Sequence, residues 1–334
     1  MGRLQEITRS SANTAALRGT SRQAQGGFVL VVVLWVLAML TVVTLSFGHR
    51  TMLERRAATY TLDHVQAKML ARGAVQRGIV EIRNKAFEEF SRDEEWTPLT
   101  HYGQKWARPM NLYEQGGYFQ RQPGNEEDVV LFYIRDAESR ISINSAPPEL
   151  LDNVPNLSPT VRRRIVNRRT RGDQEGEPAS SFHAIEELRY MQGMRDEHWF
   201  GDENIPGLRS LLTVHGNRIN VNTALPEVLR SVPGMSPAAV DTLLSFRNGP
   251  DGELGTSDDQ FFRDLNEDLN NKVGSLGDSL IALRQYCKVS SDYYIITGVA
   301  TRRSGAIVAR VTATVQVMGN TAQVVGWQEG SFDT

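Results

Sequence analysis

The stretch "RISINSAPPELLDNVPNLSPTVRRRIVNRR" (residues 140–169) returns 78 residues later as "RINVNTALPEVLRSVPGMSPAAVDTLLSFR" (residues 218–247). The two copies align without a gap and are identical at twelve of thirty positions. Because a pair of short helices cannot bury its apolar faces alone, the repeat predicts two related helical bundles packed together. In the numbering of the first copy, the identical positions are Arg140, Ile141, Asn144, Ala146, Pro148, Glu149, Leu151, Val154, Pro155, Ser158, Pro159 and Arg169.

Local signals within each copy predict two helices joined by a tight turn. Residue types that cap helices precede a proline, and the apolar helix that follows is expected to end at Val154 in the first copy and Val232 in the second. A Pro-x-x-Ser-Pro turn then begins the second helix. The predicted caps are Asn144 or Ser145 and then Ser158 in the first copy, and Asn222 or Thr223 and then Ser236 in the second.

Strand signals flank the repeat on both sides. The segment "DVVLFYIRDAESRISIN" (128–144) is rich in β-branched and aromatic residues. Similar segments return only near the C-terminus, as "DYYIITGVAT" (292–301), "GAIVARVTATVQVM" (305–318) and "AQVVGWQE" (322–329). The sequence therefore predicts an α+β protein whose antiparallel sheet is interrupted by a large helical insert, residues 140–287.

A long helix is predicted ahead of the sheet. Residues 28–48 carry no charge and would span about 30 Å as a helix, which is the thickness of a bilayer core. No proline follows between Arg50 and Phe90, and we expect the helix to continue until "DEEWTPLT" ends it at about Pro98. Apolar residues at helical spacing predict the face that packs on the domain: Leu62, Val65, Met69, Val75, Ile79 and Ile82.

The junction before the apolar run resembles a processing site. The small residues Gly26 and Gly27 precede the run, and no Ala-x-Ala-like cleavage site follows it. The first 27 residues carry four arginines against one glutamate, an excess that favours a cytoplasmic N-terminus. A protease that cut after Gly27 would leave Phe28 at the head of the helix. The alternative is a plain signal anchor whose glycines are incidental.

The composition and the motifs of the chain give little support for catalysis. The chain has 334 residues, enough for two or three domains, and a formal net charge of −2, which gives no support to nucleic acid as the main partner. Cys287 is expected to be a small buried residue near a strand, although a reactive thiol is the alternative. The six histidines lack metal-ligand spacing, and no nucleophile elbow, Walker sequence or dinucleotide fingerprint is present.

An acidic loop follows the second copy, in "RNGPDGELGTSDDQFF". Its four carboxylates, Asp251, Glu253, Asp258 and Asp259, stand among glycines that let the backbone turn, and Ca²⁺ prefers such oxygen ligands on a flexible loop. The glycine and glutamate of an EF-hand are missing at their positions. A calcium site and a solvated acidic turn are both open readings of this loop.

Arginines in the first copy raise an alternative function. They lie on one short predicted helix, behind a turn similar to the helix-hairpin-helix motif of DNA-binding proteins, and could contact phosphates. That motif uses a Gly-x-Gly turn, whereas here Gly234 stands alone and the first copy has Asn156. A solvated or protein-docking face is the competing reading. The arginines are Arg162, Arg163, Arg164, Arg168, Arg169 and Arg171.

Taken together, these motifs resemble the K-type minor pseudopilins of the type II secretion system over nearly the whole chain. The resemblance rests on the Gly27–Phe28 junction, the long helix, the duplicated "N(S/T)A-x-PE" motif and the closing "YYIITGVA" strand. It implies a pilin-like helix and antiparallel sheet interrupted by an all-α insertion of two related sterile-alpha-motif-like (SAM-like) bundles. The implied segments are a leader (1–27), a transmembrane segment (28–48), the pilin-like helix and first strands (49–139), a first helical subdomain (140–217), a second one with the acidic loop (218–287) and the closing strands (288–334).

The resemblance also implies a role and partners. It predicts cleavage by a prepilin peptidase after Gly27, N-methylation of Phe28 and calcium bound by the inserted domain. The expected location is the bacterial inner membrane, crossed once, with a cytoplasmic N-terminus and a periplasmic main domain. Expected partners are the I-type and J-type minor pseudopilins, with the H-type as a further candidate, the inner-membrane secretion platform and secreted cargo. Val32 replaces the glutamate usual in pilins, as expected of a subunit that caps the filament tip. A membrane-anchored helix-hairpin-helix DNA-binding protein is the alternative.

Overall fold

The computed structural model describes residues 23–91, 99–113, 126–171, 179–269 and 276–331. The chain divides into two units, residues 1–63 and residues 64–334. Most of the predicted leader lies outside the described residues, and so does Pro98.

The first helix, α1, runs from Gln23 to Phe90 and confirms the predicted long helix. It ends earlier than the sequence indicated. Ser91 donates its backbone amide and its hydroxyl to the carbonyl of Phe87, at 3.0 and 2.7 Å, and so satisfies a carbonyl of the last turn. The predicted end at about Pro98 is therefore wrong, because the chain leaves the helix at Phe90.

Small residues form the buried face of α1 in the second unit. Leu62, Val65 and Met69 are exposed, so their predicted packing on the domain is wrong. The sheet supplies the bulky side chains and the helix lies close to it. A Cβ added at Gly298 would come within 2.3 Å of the Ala71 carbonyl oxygen. Val75 and Ile82 are buried as predicted. The other small or apolar buried residues of α1 are Ala67, Ala71, Ala74, Gly78 and Ala86, and its buried acids are Asp63 and Glu81.

An antiparallel five-stranded sheet packs on this face. Its strands follow the spatial order β1-β2-β7-β8-β9, so the chain leaves the sheet after β2 and returns beside it in β7. The four strand segments predicted from the sequence are confirmed, with the first ending at Asp136. The strands are β1 (Met110–Asn111), β2 (Val129–Asp136), β7 (Tyr293–Arg302), β8 (Ile307–Met318) and β9 (Thr321–Ser331).

Short helices and two-residue strands make up the insert. The first copy of the repeat begins with β3 (Ile141–Ser142) and contains α2 (Pro148–Asp152) and α3 (Pro159–Arg171), followed by α4 (Asp196–Phe200), α5 (Leu208–Leu211) and β4 (Leu212–Thr213). The second begins with β5 (Ile219–Asn220) and contains α6 (Pro226–Arg230) and α7 (Pro237–Arg247), followed by α8 (Ser279–Tyr286) and β6 (Cys287–Lys288). Single 3-10 turns are Lys105–Ala107, Ala137–Ser139 and Ile185–Tyr190.

The two copies share their internal hydrogen bonds as well as their sequence. In each copy the first strand pairs in parallel with the last, β3 with β4 and β5 with β6. Arg169 donates to the carbonyls of Ile143 and Ala146, both at 2.8 Å. Arg247, 78 residues later, donates to the carbonyls at the equivalent positions 221 and 224, at 3.2 and 2.6 Å. The repeat predicted from the sequence is therefore a repeat of structure.

The helices that start each copy are capped differently from the prediction. The N-caps of α2 and α6 are Pro147 and Leu225, without a side-chain hydrogen bond. Asn144 is not a cap. Its side-chain oxygen accepts from the Phe182 amide at 2.8 Å and its amide donates to the Phe182 carbonyl at 2.9 Å, which ties the copy to a distant loop. Asn222 does the same with Phe262.

The predicted serine caps are confirmed. The Ser236 hydroxyl accepts from the Ala239 amide at 3.1 Å, and the Ser158 hydroxyl accepts from the Val161 amide at 3.4 Å. The turn before each cap needs a left-handed residue, which Asn156 (φ 63°) and Gly234 (φ 81°) supply at equivalent positions. The helices before these turns end at Asp152 and Arg230, two residues before the predicted valines.

Two hydrophobic cores organise the second unit. One lies between α1 and the sheet and includes Phe132, Tyr294 and Ile296. The other fills the insert and includes Ile141, Leu229 and Cys287. Cys287 is fully buried and begins a strand, as predicted. The insert therefore has its own core, while the finer segment boundaries and the SAM-like character of the copies stay predictions.

Candidate functional sites

The insert is attached to the sheet at two paired residues. Asp136 ends β2 and lies directly opposite Tyr294 of β7 in the antiparallel register. The whole insert lies between Asp136 and Tyr294 in the sequence. In the sheet, β2 and β7 are nevertheless direct neighbours. The insert is therefore held between neighbouring strands and leaves the sheet continuous.

A buried carboxylate holds this attachment together. One oxygen of Asp136 accepts from the hydroxyls of Thr223 and Ser291, at 2.5 and 2.6 Å, and from the Asn220 side-chain amide at 2.8 Å. The other oxygen accepts from the Glu138 amide at 2.8 Å. We call this contact the joint and define it as Thr100, Asp136, Asn220, Thr223 and Ser291.

The joint lies in a water-poor environment. Asp136 is 1% exposed, and burial raises the pKa of its carboxyl although its four hydrogen bonds oppose the rise. Thr100 extends the joint by accepting from the Ser291 amide at 3.0 Å and bonding the Tyr294 hydroxyl at 2.8 Å. Burial also raises the pKa of Tyr294 well above its usual value. Polar groups in such surroundings are expensive to leave without partners, so the joint fixes one arrangement of insert and sheet.

A second buried acid lies beside the joint. The Glu138 carboxylate accepts from the Asp292 amide at 2.6 Å and pairs with the Lys288 ammonium at 2.8 Å. Burial raises the pKa of Glu138, and the charge of Lys288 opposes the rise. Lys288 also pairs with the Asp292 carboxylate at 2.9 Å. This pair ties the last strand of the insert to the point where the chain leaves the sheet.

Sequence reasoning missed the joint. The repeat contains one signal that could have indicated it. Asn220 and Thr223 in the second copy stand where the first copy has Ser142 and Ser145, so the copies differ at the two residues that bind the carboxylate. An isolated acid at the end of an apolar strand, Asp136, is the matching signal.

The predicted processing site lies within α1. A side chain added at Gly27 would contact no residue outside its own helical turn, and Phe28 is largely exposed. Val32 is 44% exposed, like its apolar neighbours. Cleavage after Gly27 and methylation of Phe28 stay predictions.

The first part of α1 fits a membrane anchor. Within the described residues, the helix from Gly27 to Phe90 is long and apolar enough to cross a bilayer, and none of its most apolar window is buried by protein. Large apolar side chains are exposed along the whole run from Phe28 to Phe47. This exposure is costly in water and favourable in lipid, so the helix fits a single-pass anchor.

The acidic loop is organised by hydrogen bonds to its own backbone. An oxygen of Asp258 accepts from the Asp251 amide at 3.2 Å, and Asp259 accepts from the Gly255 amide at 2.6 Å. The Thr256 hydroxyl donates to Asp258 at 2.7 Å, and these hydrogen bonds hold the pKa of Asp258 below its usual range. The loop therefore brings three of the four predicted ligands around one turn.

The acidic loop has the type of ligand that calcium prefers, but its carboxylates do not converge on one point. Carboxylate and carbonyl oxygens are the ligands that calcium prefers. Within the described residues, however, no three His, Cys, Asp or Glu side chains converge closely enough to hold a metal ion. Glu253 bonds the Asp251 side chain only through its own backbone amide, at 2.8 Å. The predicted ligand set of Asp251, Glu253, Asp258 and Asp259 stays a prediction.

The arginines of α3 make contacts within the insert. Arg162 pairs with Asp152 at 2.7 Å and Arg168 with Glu187 at 2.6 Å. Arg169 binds the two backbone carbonyls described above. These contacts favour a structural role for this helix over a phosphate-binding surface.

The class of protein follows from these features. A long helix with an exposed apolar first part, and an antiparallel sheet on its second part, are consistent with a pilin-like α+β fold. The helical insert held by the joint distinguishes this chain from a simple helix and sheet.

A solved structure shares this fold. The chain is similar to the crystal structure of the GspK-GspI-GspJ complex of the type 2 secretion system from enterotoxigenic Escherichia coli, with a TM-score of 0.55 and 15% identity. The match covers 83% of this chain and 100% of the solved chain. At this identity the likeness shows the fold, and that fold supports the resemblance to K-type minor pseudopilins. No protein-family model matches the chain, and no curated protein matches its sequence.

Proposed function

We propose that this chain is a K-type minor pseudopilin, a structural component of a type II secretion system rather than an enzyme. The observation that supports this most is the shared fold, because the match covers the whole of a solved chain from a pseudopilin complex. The I-type and J-type minor pseudopilins are its proposed partners, since that structure is a complex of the three.

The proposed position is the tip of the filament, where the chain nucleates assembly. An insert of roughly 150 residues is itself the size of an ordinary domain, and it would obstruct packing of further copies along a shaft. The subunit would therefore start a filament without repeating in it. Val32 fits this position, because a first subunit has no earlier neighbour whose N-terminal amine an acid at position 32 could pair with.

Processing and location complete the proposal. A prepilin peptidase would cut after Gly27, and the free, methylated amine of Phe28 would pair with the acid of the next subunit. Before assembly, α1 would hold the chain in the inner membrane with the insert in the periplasm, in contact with the secretion platform and with secreted cargo. Afterwards, close packing between apolar helices would stabilise the filament.

Secretion and labelling experiments test the proposal. In the source bacterium, deletion of the gene should abolish export through the system, and the full chain should restore it. Tyr190 is 86% exposed on the insert, so a Tyr190→Cys chain can be labelled on isolated pseudopili, while the buried Cys287 of the unaltered chain serves as the unlabelled control. Label at one end supports tip placement, and label along the shaft contradicts it. An intact N-terminus before Phe28 in the mature protein would contradict processing.

Calcium at the acidic loop is a further part of the proposal. Asp258 and Asp259 accept hydrogen bonds from backbone amides of the loop, and calcium would replace these bonds when Asp251, Glu253, Asp258 and Asp259 turn their carboxylates towards it. Bound calcium would then stabilise the second copy of the repeat.

A further inference from the structure

The two copies of the repeat have different neighbours at equivalent positions. In the second copy, Asn220 and Thr223 donate to the carboxylate of Asp136 in the joint. The equivalent residues of the first copy, 78 positions earlier, are Ser142 and Ser145. Among the described residues neither serine side chain forms a hydrogen bond with an acid, and Ser145 donates instead to the Gly216 carbonyl at 2.9 Å. The first copy thus keeps donors where the second copy binds a carboxylate.

A small, partly open cavity lies at this place on the first copy. Ser142, Ser145 and Leu150 line it on one side, and Arg218 and Tyr286 on another. It is large enough for a water-sized group such as one carboxylate oxygen. Ser142 is only 7% exposed, and its hydroxyl finds no hydrogen-bond partner among the described residues. A buried hydroxyl without a partner is costly and points to a ligand that would satisfy it.

The charge around the cavity favours an anion. Arg218 lines it and forms no ion pair with another described residue. Glu138 is the acid that approaches this region, close to Gly216, and its charge is balanced by Lys288 at 2.8 Å. Arg218 and the unpartnered Ser142 hydroxyl line the same cavity, and a guanidinium with a hydroxyl is a suitable pair of donors for a carboxylate, because charge-assisted hydrogen bonds are the strong ones.

We propose that this cavity binds a carboxylate from an acidic side chain of a partner protein, with Ser142 and Arg218 as its donors. The joint supplies the internal precedent for Ser142, because Asn220, its equivalent in the second copy, binds the carboxylate of Asp136. The second copy binds a carboxylate of its own chain, and the first copy would bind a carboxylate of a partner protein. The inference goes beyond the proposed function, and binding to the isolated chain tests it whether or not the chain assembles into a pseudopilus.

A fluorescence titration of the full chain in detergent micelles tests this binding. Asn217 is exposed and lines the cavity, so Asn217→Cys can carry an environment-sensitive dye. Cys287 will stay unlabelled, because it is fully buried and burial raises the pKa of its thiol to about 12. The probes are N-acetyl-glutamate N-methylamide, its glutamine analogue and N-acetyl-glycylglycine, which carries a terminal carboxylate.

The expected result is a saturable response to the glutamate probe and a much weaker one to the other two. Arg218→Ala should weaken binding about tenfold or more, and Ser142→Ala several-fold, without lowering the melting temperature. Arg163→Ala, at an exposed arginine of α3 away from the cavity, is the matched control and should bind normally. An equal response to glutamine, no saturable response, or full binding by Arg218→Ala would overturn the proposal. Tighter binding of the terminal carboxylate would overturn the assignment to a side chain.

Discussion

Removal of the Asp136 carboxylate should loosen the attachment of the insert. In Asp136→Ala, the hydroxyls of Thr223 and Ser291 and the Glu138 amide lose their acceptor, at 2.5, 2.6 and 2.8 Å, while the Asn220 amide keeps the Thr100 carbonyl at 3.0 Å. Each buried donor left without a partner costs about 1–3 kcal/mol. Relief of the buried charge offsets part of this cost, since the pKa of Asp136 is raised by burial. We expect a net loss of about 2–4 kcal/mol in the free energy of unfolding.

A double-mutant cycle separates the joint from a general effect of the substitution. Thr223→Ala removes one donor and leaves the carboxylate with its others, at a cost of about 1 kcal/mol. In the double variant no threonine hydroxyl is left orphaned, so the combined cost should be about 1–2 kcal/mol smaller than the sum of the two single costs. Ser145→Ala, the equivalent change in the first copy, is the matched control and should have little effect.

Thermal unfolding of the full chain in detergent micelles, followed by circular dichroism, measures these changes. At about 2–4 °C per kcal/mol for a domain of this size, a loss of about 2–4 kcal/mol in Asp136→Ala should lower the melting temperature by about 4–16 °C. A melt within about 1 °C of the unaltered chain, or strictly additive costs in the cycle, would refute the assignment of Asp136 as the residue that holds the joint.

Three further predictions concern other parts of the second unit. Calcium at about 100 times its dissociation constant should stabilise the chain by about 2.7 kcal/mol, so chelation should lower the melting temperature, and the double alanine variant of Asp258 and Asp259 should show no such difference. Burial, with nearby cations, lowers the pKa of His101 to about 4. The unfolded chain therefore takes up this proton near pH 6.5 and the folded chain only near pH 4, so stability is lost as pH falls between these values. His101→Phe should show a smaller loss between pH 7 and pH 4.5, and an unchanged loss would contradict the role of this histidine. Gly298→Ala places a Cβ 2.3 Å from the Ala71 carbonyl oxygen and should cost about 1–3 kcal/mol in a thermal melt; an unchanged melt would show that α1 can move away from the sheet.

Local patterns in the sequence predicted most of the elements. An uncharged run of 21 residues can be recognised without knowledge of the rest of the chain, because its length matches a bilayer. The β-branched and aromatic residues after Asp128 and after Asp292 predict strands, and the described strands begin close to the predicted segments, although the first ends at Asp136 rather than at residue 144. The duplicated motif predicted two related bundles, since equal sequence at a fixed offset favours equal structure.

Packing decided which face of α1 is buried. Leu62, Val65 and Met69 have the spacing of a core face but are exposed, whereas Val75 and Ile82 are buried as predicted, together with a row of alanines and Gly78. The sheet already presents large side chains such as Phe132 and Ile296, so a helix with small residues can approach closely and fill the remaining space. The face of α1 that is buried therefore depends on the size of the side chains on the sheet, which the helical period of α1 does not encode.

The sequence by itself determined the elements and the repeat, because propensity, hydrophobic period and turn chemistry act over a few residues. Only the tertiary structure decided the candidate sites. The joint brings together Thr100, Asp136, Asn220 and Ser291, which are far apart in the chain. These buried hydrogen bonds form between polar groups that packing brings together and shields from water. That pairing is set by the packed fold, since a buried donor or acceptor must be satisfied wherever the chain happens to place its partner.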